Sequence, residues 1–116
     1  MAGILIFDDD ENIRRTYREL LSSEGYLVRE TSEPERAFHI LETTPIDLVL
    51  LDIRMPVEGT MLKVVLRAWS AHLKIMIASV YSLDEQRRKI PDADAYFDKS
   101  QGIEILLSQI RKVLAV

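Results

Sequence analysis

Four apolar runs of the sequence end at or near polar residues of different chemical kinds. These residues are a carboxylate triplet, a further carboxylate, a hydroxyl and an ammonium: Asp8-Asp9-Asp10, Asp52, Ser79 and Lys99. The carboxyl ends of parallel strands lie along one edge of an open α/β sheet, where ligands bind. We therefore expect these side chains to converge on one site.

The carboxylates predict a site for a divalent cation. If the strand before Asp8 and Asp9 neighbours the strand before Asp52, their charges repel at short range. A cation with hard oxygen ligands relieves this repulsion, and Mg²⁺ suits a shallow site that leaves room for water and phosphate oxygens. Capping of the following helix is an alternative for acidic residues, and for Asp10 it is at least as good.

Asp52 has the chemistry of a phosphoryl acceptor. A carboxylate beside a metal can attack a phosphoryl group and form an aspartyl phosphate. The three oxygens of the transferred group need matching positive charge and donors, which Mg²⁺, Lys99 and Ser79 can supply. Taken singly, Lys99 is also typical of a solvated surface and Ser79 of a turn, so the combination indicates the function.

Strand and helix patterns alternate along the chain. The predicted strands cover residues 4–7, 26–30, 46–51, 75–78 and 95–98. Helical spacing predicts a first helix that ends at Gly25 and a second helix with a Ser32–Glu35 capping box and Pro34 in its first turn. Three further helices are predicted: a third over 61–68, a short fourth over 83–90 and a C-terminal helix over 103–114. Five βα units predict a doubly wound parallel sheet with helices on both faces.

Composition limits the class of protein. The chain has 116 residues, of which 47% are hydrophobic and 29% charged, and this predicts a single domain over residues 1–116. The net charge of -4 argues against direct binding to nucleic acid. The lack of cysteine excludes disulfides and thiol chemistry. No run reaches the roughly 20 apolar residues of a membrane helix, so we expect a cytoplasmic protein without a membrane partner.

The motifs together resemble the receiver domain of two-component response regulators, the CheY-like superfamily, over essentially the whole chain. The matching segments are 4–12, Asp52-Ile53-Arg54-Met55-Pro56 with Gly59, Ser79-Val80-Tyr81 and 96–99. The resemblance implies a flavodoxin-like (βα)5 fold with strand order 2-1-3-4-5, in agreement with the alternation of elements.

The resemblance also implies residue roles. Asp52 corresponds to the phosphoacceptor, Lys99 to the lysine that pairs with phosphate, Ser79 to the switch hydroxyl and Tyr96 to the aromatic residue that changes rotamer. The implied Mg²⁺ site consists of Asp8, acting mainly through metal-bound water, Asp9, Asp52 and the Arg54 backbone carbonyl. The implied partner is a histidine kinase or phosphotransfer protein. A phosphorylation-dependent homodimer would use the fourth helix, fifth strand and fifth helix.

Two departures from the family pattern affect the site. Ser100 follows Lys99 where the family usually has proline, which predicts a trans peptide and a longer distance from the Lys99 ammonium to Asp52 in the resting protein. Val80 replaces a small residue and is expected to hinder the entry of water or small donors.

The predicted function is a phosphorylation-dependent switch that catalyses only its own modification and is not a metabolic enzyme. Two alternatives remain open. Val80 and the Lys99–Ser100 pair are compatible with a receiver-like interaction module that acts without phosphate. Asp8 and Asp10 also form an Asp-x-Asp motif, as in small haloacid-dehalogenase-type phosphatases, although Glu11 and Asn12 do not fit that family.

Overall fold

Five strands and four helices form within residues 2–54 and 72–115, which are the residues that the computed structural model describes. The strands are β1 (Gly3–Phe7), β2 (Leu27–Thr31), β3 (Leu48–Leu51), β4 (Lys74–Ser79) and β5 (Ala95–Asp98). The helices are α1 (Glu11–Ser23), α2 (Pro34–Thr43), α3 (Leu83–Lys89) and α4 (Ile103–Leu114). The predicted fourth and C-terminal helices correspond to α3 and α4. The predicted third helix and the loop with Met55, Pro56 and Gly59 lie outside the described residues.

The strands form one parallel sheet in the order β2-β1-β3-β4-β5, which confirms the predicted flavodoxin-like order. Strand β1 lies between β2 and β3, so that Phe7 pairs with Thr31 on one side and with Leu51 on the other. At the far side of the sheet, Ser79 pairs with Asp98. This register places the residues that follow β1, β3, β4 and β5 along one edge.

Both faces of the sheet are covered. Every residue of β1 and β3 is buried, as expected of central strands with near-continuous apolar sequence. Leu5, Val49 and Ile75 pack on the face that α2 covers through Ala37 and Ile40. The opposite face packs against α1 and α4, and its core residues are Ile4, Leu48, Met76, Tyr17, Leu21, Leu106 and Ile110.

The start of α2 differs from the prediction. Its N-cap is Glu33, whose side chain makes no capping hydrogen bond, so the predicted Ser32–Glu35 capping box is wrong. Pro34 occupies the first turn as expected, and its fixed φ and missing N–H favour the first helical position, which makes residue 33 the cap. The Thr31 hydroxyl accepts from the Glu33 N–H at 3.0 Å instead.

Acidic side chains just before β3 and β5 bond to the neighbouring strand. Strand β3 begins at Leu48 rather than at residue 46, and the carboxylate of the preceding Asp47 accepts from the Gly3 N–H at 2.8 Å. Asp94 accepts in the same way from the Ile75 N–H at 2.8 Å. No helix within the described ranges is both long and apolar enough to span a bilayer.

Candidate functional site

A pocket of about 420 Å³ opens at the carboxyl edge of the sheet. Its lining contains charged residues and two apolar side chains: Asp8, Asp9, Asp10, Ile13, Asp52, Arg54, Val80 and Lys99. The loops after β1, β3, β4 and β5 each contribute to it. The structure therefore brings Asp8, Asp9, Asp52 and Lys99 together at one edge, whereas the Ser79 side chain does not line the pocket.

The Lys99 ammonium lies between two buried carboxylates. Lys99 Nζ donates to Asp8 Oδ2 at 2.6 Å and to Asp52 Oδ2 at 3.0 Å. The three side chains are 9%, 4% and 8% exposed for Lys99, Asp8 and Asp52, so water screens these charges weakly. The prediction that the ammonium lies farther from Asp52 in the resting protein is wrong.

The loop after β5 explains how Lys99 reaches the site without a proline. The described residues contain no cis peptide bond, which confirms the predicted trans geometry of Lys99–Ser100. Asp98 Oδ1 accepts from the Ser100 N–H at 2.9 Å and from the Ser100 hydroxyl at 2.8 Å, and these two bonds lower the pKa of the Asp98 carboxyl. The Gln101 N–H donates to the Asp98 carbonyl at 2.8 Å. The turn over 98–101 is thus held by hydrogen bonds among its own polar groups.

Asp8 is held on several sides. Its Oδ1 accepts from the Asp10 N–H at 2.9 Å, and its backbone carbonyl accepts from Arg14 Nη1 at 2.8 Å. Burial raises the pKa of the Asp8 carboxyl, and the bonds from Lys99 and from the Asp10 N–H only partly offset this rise. Nearby, burial raises the pKa of Tyr17 to about 12, with a further contribution from the negative charges of Asp8 and Asp52.

Asp52 is fixed by its own loop. Its backbone N–H continues the pairing with β1 by donating to the Phe7 carbonyl at 3.0 Å. Its Oδ1 accepts from the Arg54 N–H at 2.9 Å, while Oδ2 accepts from Lys99. Both carboxylate oxygens are therefore oriented, and the side chain borders the open pocket.

The donor set fits Mg²⁺ in chemistry but is not assembled as a complete cage. Asp8 and Asp52 already direct oxygens at one cation, the Lys99 ammonium, and hard carboxylate and carbonyl oxygens suit Mg²⁺. Within 2–54 and 72–115, no three histidine or acidic side chains are grouped closely enough to hold a metal ion. Asp9 is exposed and lines the open pocket.

Asp10 is the N-cap of α1. Its Oδ1 accepts from the Asn12 N–H at 2.9 Å and from the Ile13 N–H at 3.3 Å. The capping interpretation therefore describes Asp10, and the triplet divides into a buried Asp8, an exposed Asp9 and a capping Asp10.

Ser79 and Tyr96 lie outside the pocket lining. Ser79 is fully buried, and its Oγ accepts from the Tyr81 N–H at 3.4 Å. Tyr96 is half-buried: its hydroxyl donates to the Ile90 carbonyl at 2.6 Å and accepts from the Ala93 N–H at 3.2 Å. The Arg87 guanidinium lies 5.4 Å from the centre of the Tyr96 ring.

Two residues outside the pocket lining bond to the backbone that supports the site, and they were not predicted from the sequence. Arg14 binds the Asp8 carbonyl and also Glu30 at 3.2 Å, which joins α1 to β2. Gln86 on α3 is fully buried and bonds to the ends of β4 and β5. Gln86 lies among charged residues on a predicted helix. The sequence pattern there does not distinguish a buried glutamine from a solvated one, so it gave no usable signal.

Comparison with known proteins agrees with this geometry. The family profile described as "Response regulator receiver domain" matches residues 4–111. The chain is 31% identical over 118 positions to the KDP operon transcriptional regulatory protein KdpE of Escherichia coli, covering 98% of this chain and 52% of that protein. It is 31% identical over 114 positions to the response regulator MprA of Mycolicibacterium vanbaalenii, covering 96% and 49%. The chain thus spans about half the length of these relatives.

Solved structures show the same fold. Response regulator protein TrrA from Thermotoga maritima, crystallised in complex with Mg²⁺–BeF, aligns with a TM-score of 0.86 and 32% identity over 98% of this chain and 100% of that chain. TrrA in complex with histidine kinase ThkA aligns with a TM-score of 0.83 and 32% identity, over 99% and 100%. The family match does not support the phosphatase alternative. This chain belongs to the response regulator receiver domain family of two-component signalling.

Proposed function

We propose that this receiver domain is a phosphorylation-dependent switch in which Asp52 accepts a phosphoryl group from a histidine kinase or phosphotransfer protein. The observation that supports this most strongly is the Lys99 ammonium bound to both Asp8 and Asp52 beside an open pocket. A buried cation between two carboxylates provides the charge that an incoming phosphoryl group needs.

The proposed transfer begins when an Asp52 carboxylate oxygen attacks the phosphorus of a phosphohistidine. A P–O bond forms as the P–N bond breaks, and the leaving histidine nitrogen keeps the electron pair and takes up a proton. Lys99 then pairs with a phosphoryl oxygen, and Ser79 donates its hydroxyl to another. Later attack of water at phosphorus releases inorganic phosphate and restores the Asp52 carboxylate, which resets the switch.

Mg²⁺ would be held by Asp8, Asp9, Asp52 and the Arg54 carbonyl, and when bound it would neutralise charge that develops on the phosphoryl oxygens. The described geometry supplies two of these groups already directed at a cation. The Mg²⁺–BeF complex of TrrA, a relative at 32% identity, supports the same use of this site.

A complex of TrrA with histidine kinase ThkA supports a kinase as partner. We propose that the modified chain then changes the surface formed by α3, β5 and α4, through which it binds a partner or a second copy of itself. Inward movement of the Ser79 hydroxyl is the first proposed step. Ser79 is buried at the end of β4, next to Val80 of the pocket lining. Tyr96 follows, and its movement requires loss of its bonds to Ile90 and Ala93.

This proposal predicts how a phosphoryl mimic affects amide chemical shifts. Addition of beryllofluoride with Mg²⁺ should shift amides in the loops around Asp8, Asp52 and Lys99 and also across residues 79–110. A coupling of about 1–3 kcal/mol between site and distal face is typical of such switches. The shifts should be absent without Mg²⁺.

Two variants complete this test. Asp52→Asn should abolish the shifts, and a complex that survives this substitution would show that Asp52 is not the acceptor. Ser79→Ala should keep the shifts near the pocket and lose those on the distal face. Distal shifts that persist in Ser79→Ala would contradict the proposed route of communication.

The alternative of a module that acts without phosphate rests on Val80, which is 54% exposed and borders the pocket. Its branched side chain is expected to hinder the entry of small donors. The ion pairs of Lys99 with Asp8 and Asp52 favour the phosphorylation-dependent switch.

A further inference from the structure

We propose that Gln86 is a positioning residue, which fixes the backbone of Ser79 and Lys99 around Asp52 by tying α3 to the ends of β4 and β5. The inference rests on the proposed phosphoryl transfer. Gln86 does not line the pocket, so it acts through the strands that it binds.

The side-chain amide of Gln86 bonds to two different segments. Gln86 Nε2 donates to the Tyr81 carbonyl at 2.8 Å and to the Phe97 carbonyl at 3.0 Å, and the Ser79 carbonyl lies 3.4 Å away. The Tyr81 carbonyl belongs to the loop after β4, and Phe97 lies in β5 just before the loop of Lys99. One amide group therefore joins the two strand ends that precede the site.

A backbone hydrogen bond also joins these strand ends. The Lys99 N–H donates to the Ser79 carbonyl at 2.8 Å, and this is the bond that places Lys99 relative to Ser79. The Ser79 carbonyl thus has the Lys99 N–H as a close donor and the Gln86 amide as a distant one. A shift of the amide changes the placement of both functional residues.

The Gln86 side chain is fully buried, which restricts the partners that its amide can have. Gln86 is 0% exposed, although glutamine is rarely fully buried. Its Nε2 hydrogens are used on carbonyls, whereas its Oε1 has no hydrogen-bond partner among the described residues. A buried acceptor without a hydrogen bond lowers the stability of the fold, and the hydrogen bonds donated by the same side chain must offset this loss. The bonds to β4 and β5 are the contacts that do so.

The test compares phosphorylation rates in variants with matched shape. Gln86→Met keeps the length and volume of the side chain but removes both donors. We expect its rate of Asp52 phosphorylation by acetyl phosphate, at saturating Mg²⁺, to fall roughly 10- to 100-fold, since small misplacements of reacting groups have effects of this size. Its affinity for Mg²⁺ should stay unchanged, because Asp8, Asp9 and Asp52 lie on other loops.

Gln109→Met is the matched control. Gln109 lies on α4, and its Oε1 is also buried and unpaired among the described residues. This variant should keep the wild-type rate. If Gln86→Met lowers only the melting temperature, and its rate at a temperature where it is folded equals that of the wild type, the positioning role is wrong.

A second measurement needs neither a variant nor phosphorylation. In the wild type, hydrogen exchange of the Gln86 side-chain amide and of the Lys99 backbone amide should both be strongly slowed. Exchange of the Gln86 amide at the rate of a free amide would overturn the inference even if Gln86→Met does not fold. If neither acetyl phosphate nor a phosphorylated histidine kinase modifies Asp52 in the wild type while both amides are protected, the proposed function fails and the positioning of Lys99 by Gln86 stands.

Discussion

Lys99 is shared between two buried carboxylates in this structure. The ammonium contacts Asp8 and Asp52, each of which has its second oxygen bound to a backbone N–H. One positive charge thus faces two negative charges, and loss of the Lys99 ammonium would leave both carboxylates buried without compensation, which is costly. The charge balance of this cluster is therefore sensitive to pH and to metal.

The raised pKa of Asp8 predicts a pH-dependent effect of Asp8→Asn on stability. The folded protein binds the Asp8 proton more tightly than the unfolded chain, so this group stabilises the fold fully only below its ordinary pKa of 3.8. That contribution is lost as pH rises through the raised folded value. Without metal, Asp8→Asn should be more stable than the wild type at neutral pH, and the advantage should shrink toward pH 3.8.

Urea unfolding of both proteins at several pH values between these limits measures this difference. Asp10→Asn is the control, because Asn also caps helices and Asp10 is exposed. An Asp8→Asn variant less stable than the wild type at neutral pH would contradict the account of Asp8.

The identities of the central site residues were predictable from the sequence, whereas their geometry was not. Asp8, Asp52 and Lys99 follow apolar runs, and parallel strands bring such positions to one edge. The distance from Lys99 to Asp52 was wrongly predicted because it depends on the turn that Asp98 and Ser100 form by side-chain bonds. Such local bonds compete with other conformations and are not visible in periodicity.

Among the elements, the start of β1 has a strict steric requirement at Gly3. A Cβ added there would overlap the Pro45 carbonyl oxygen, which is a backbone atom. Gly3 also donates to Asp47 and accepts from the Asp47 N–H at 2.8 Å, so the strand has little freedom to move away.

Gly3→Ala should therefore lower the free energy of unfolding by about 1–3 kcal/mol, the usual cost of overpacking. Gly102→Ala is a suitable control, because a Cβ there meets no atom within 4 Å, and loss of the glycine cap should cost less than about 1 kcal/mol. Equilibrium urea unfolding gives both values. Equal stability of Gly3→Ala and the wild type would show that the contact with Pro45 relaxes without cost.

At the scale of the elements, prediction succeeded where burial patterns are periodic. The alternation of strands and helices and the end of α1 near Gly25, whose φ is +92°, followed from such patterns. The cap of α2 did not, because Ser32 and Pro34 favour different first residues for the helix. The side-chain bond from Asp47 to Gly3 just before β3 is equally hidden in the sequence.

In the whole molecule, the pocket edge and the α3–β5–α4 face are connected through the ends of β4 and β5. The Lys99 N–H bonds to the Ser79 carbonyl on the pocket side. On the distal side, Gln86 bonds to the Phe97 carbonyl and Arg87 lies over the Tyr96 ring. The chain spans about half of its curated relatives, KdpE and MprA. We therefore expect the distal face to communicate with whatever binds there when the site is modified.

Phosphoryl transfer to Asp52 tests the central claim most directly. The purified chain is incubated with acetyl phosphate and, because Val80 is expected to hinder small donors, separately with a phosphorylated histidine kinase, each with and without Mg²⁺. Intact mass followed by peptide mapping should show one phosphoryl group on Asp52, only with Mg²⁺, and none on Asp52→Asn. Unchanged mass with both donors, or a modification that persists at full occupancy in Asp52→Asn, would contradict the account.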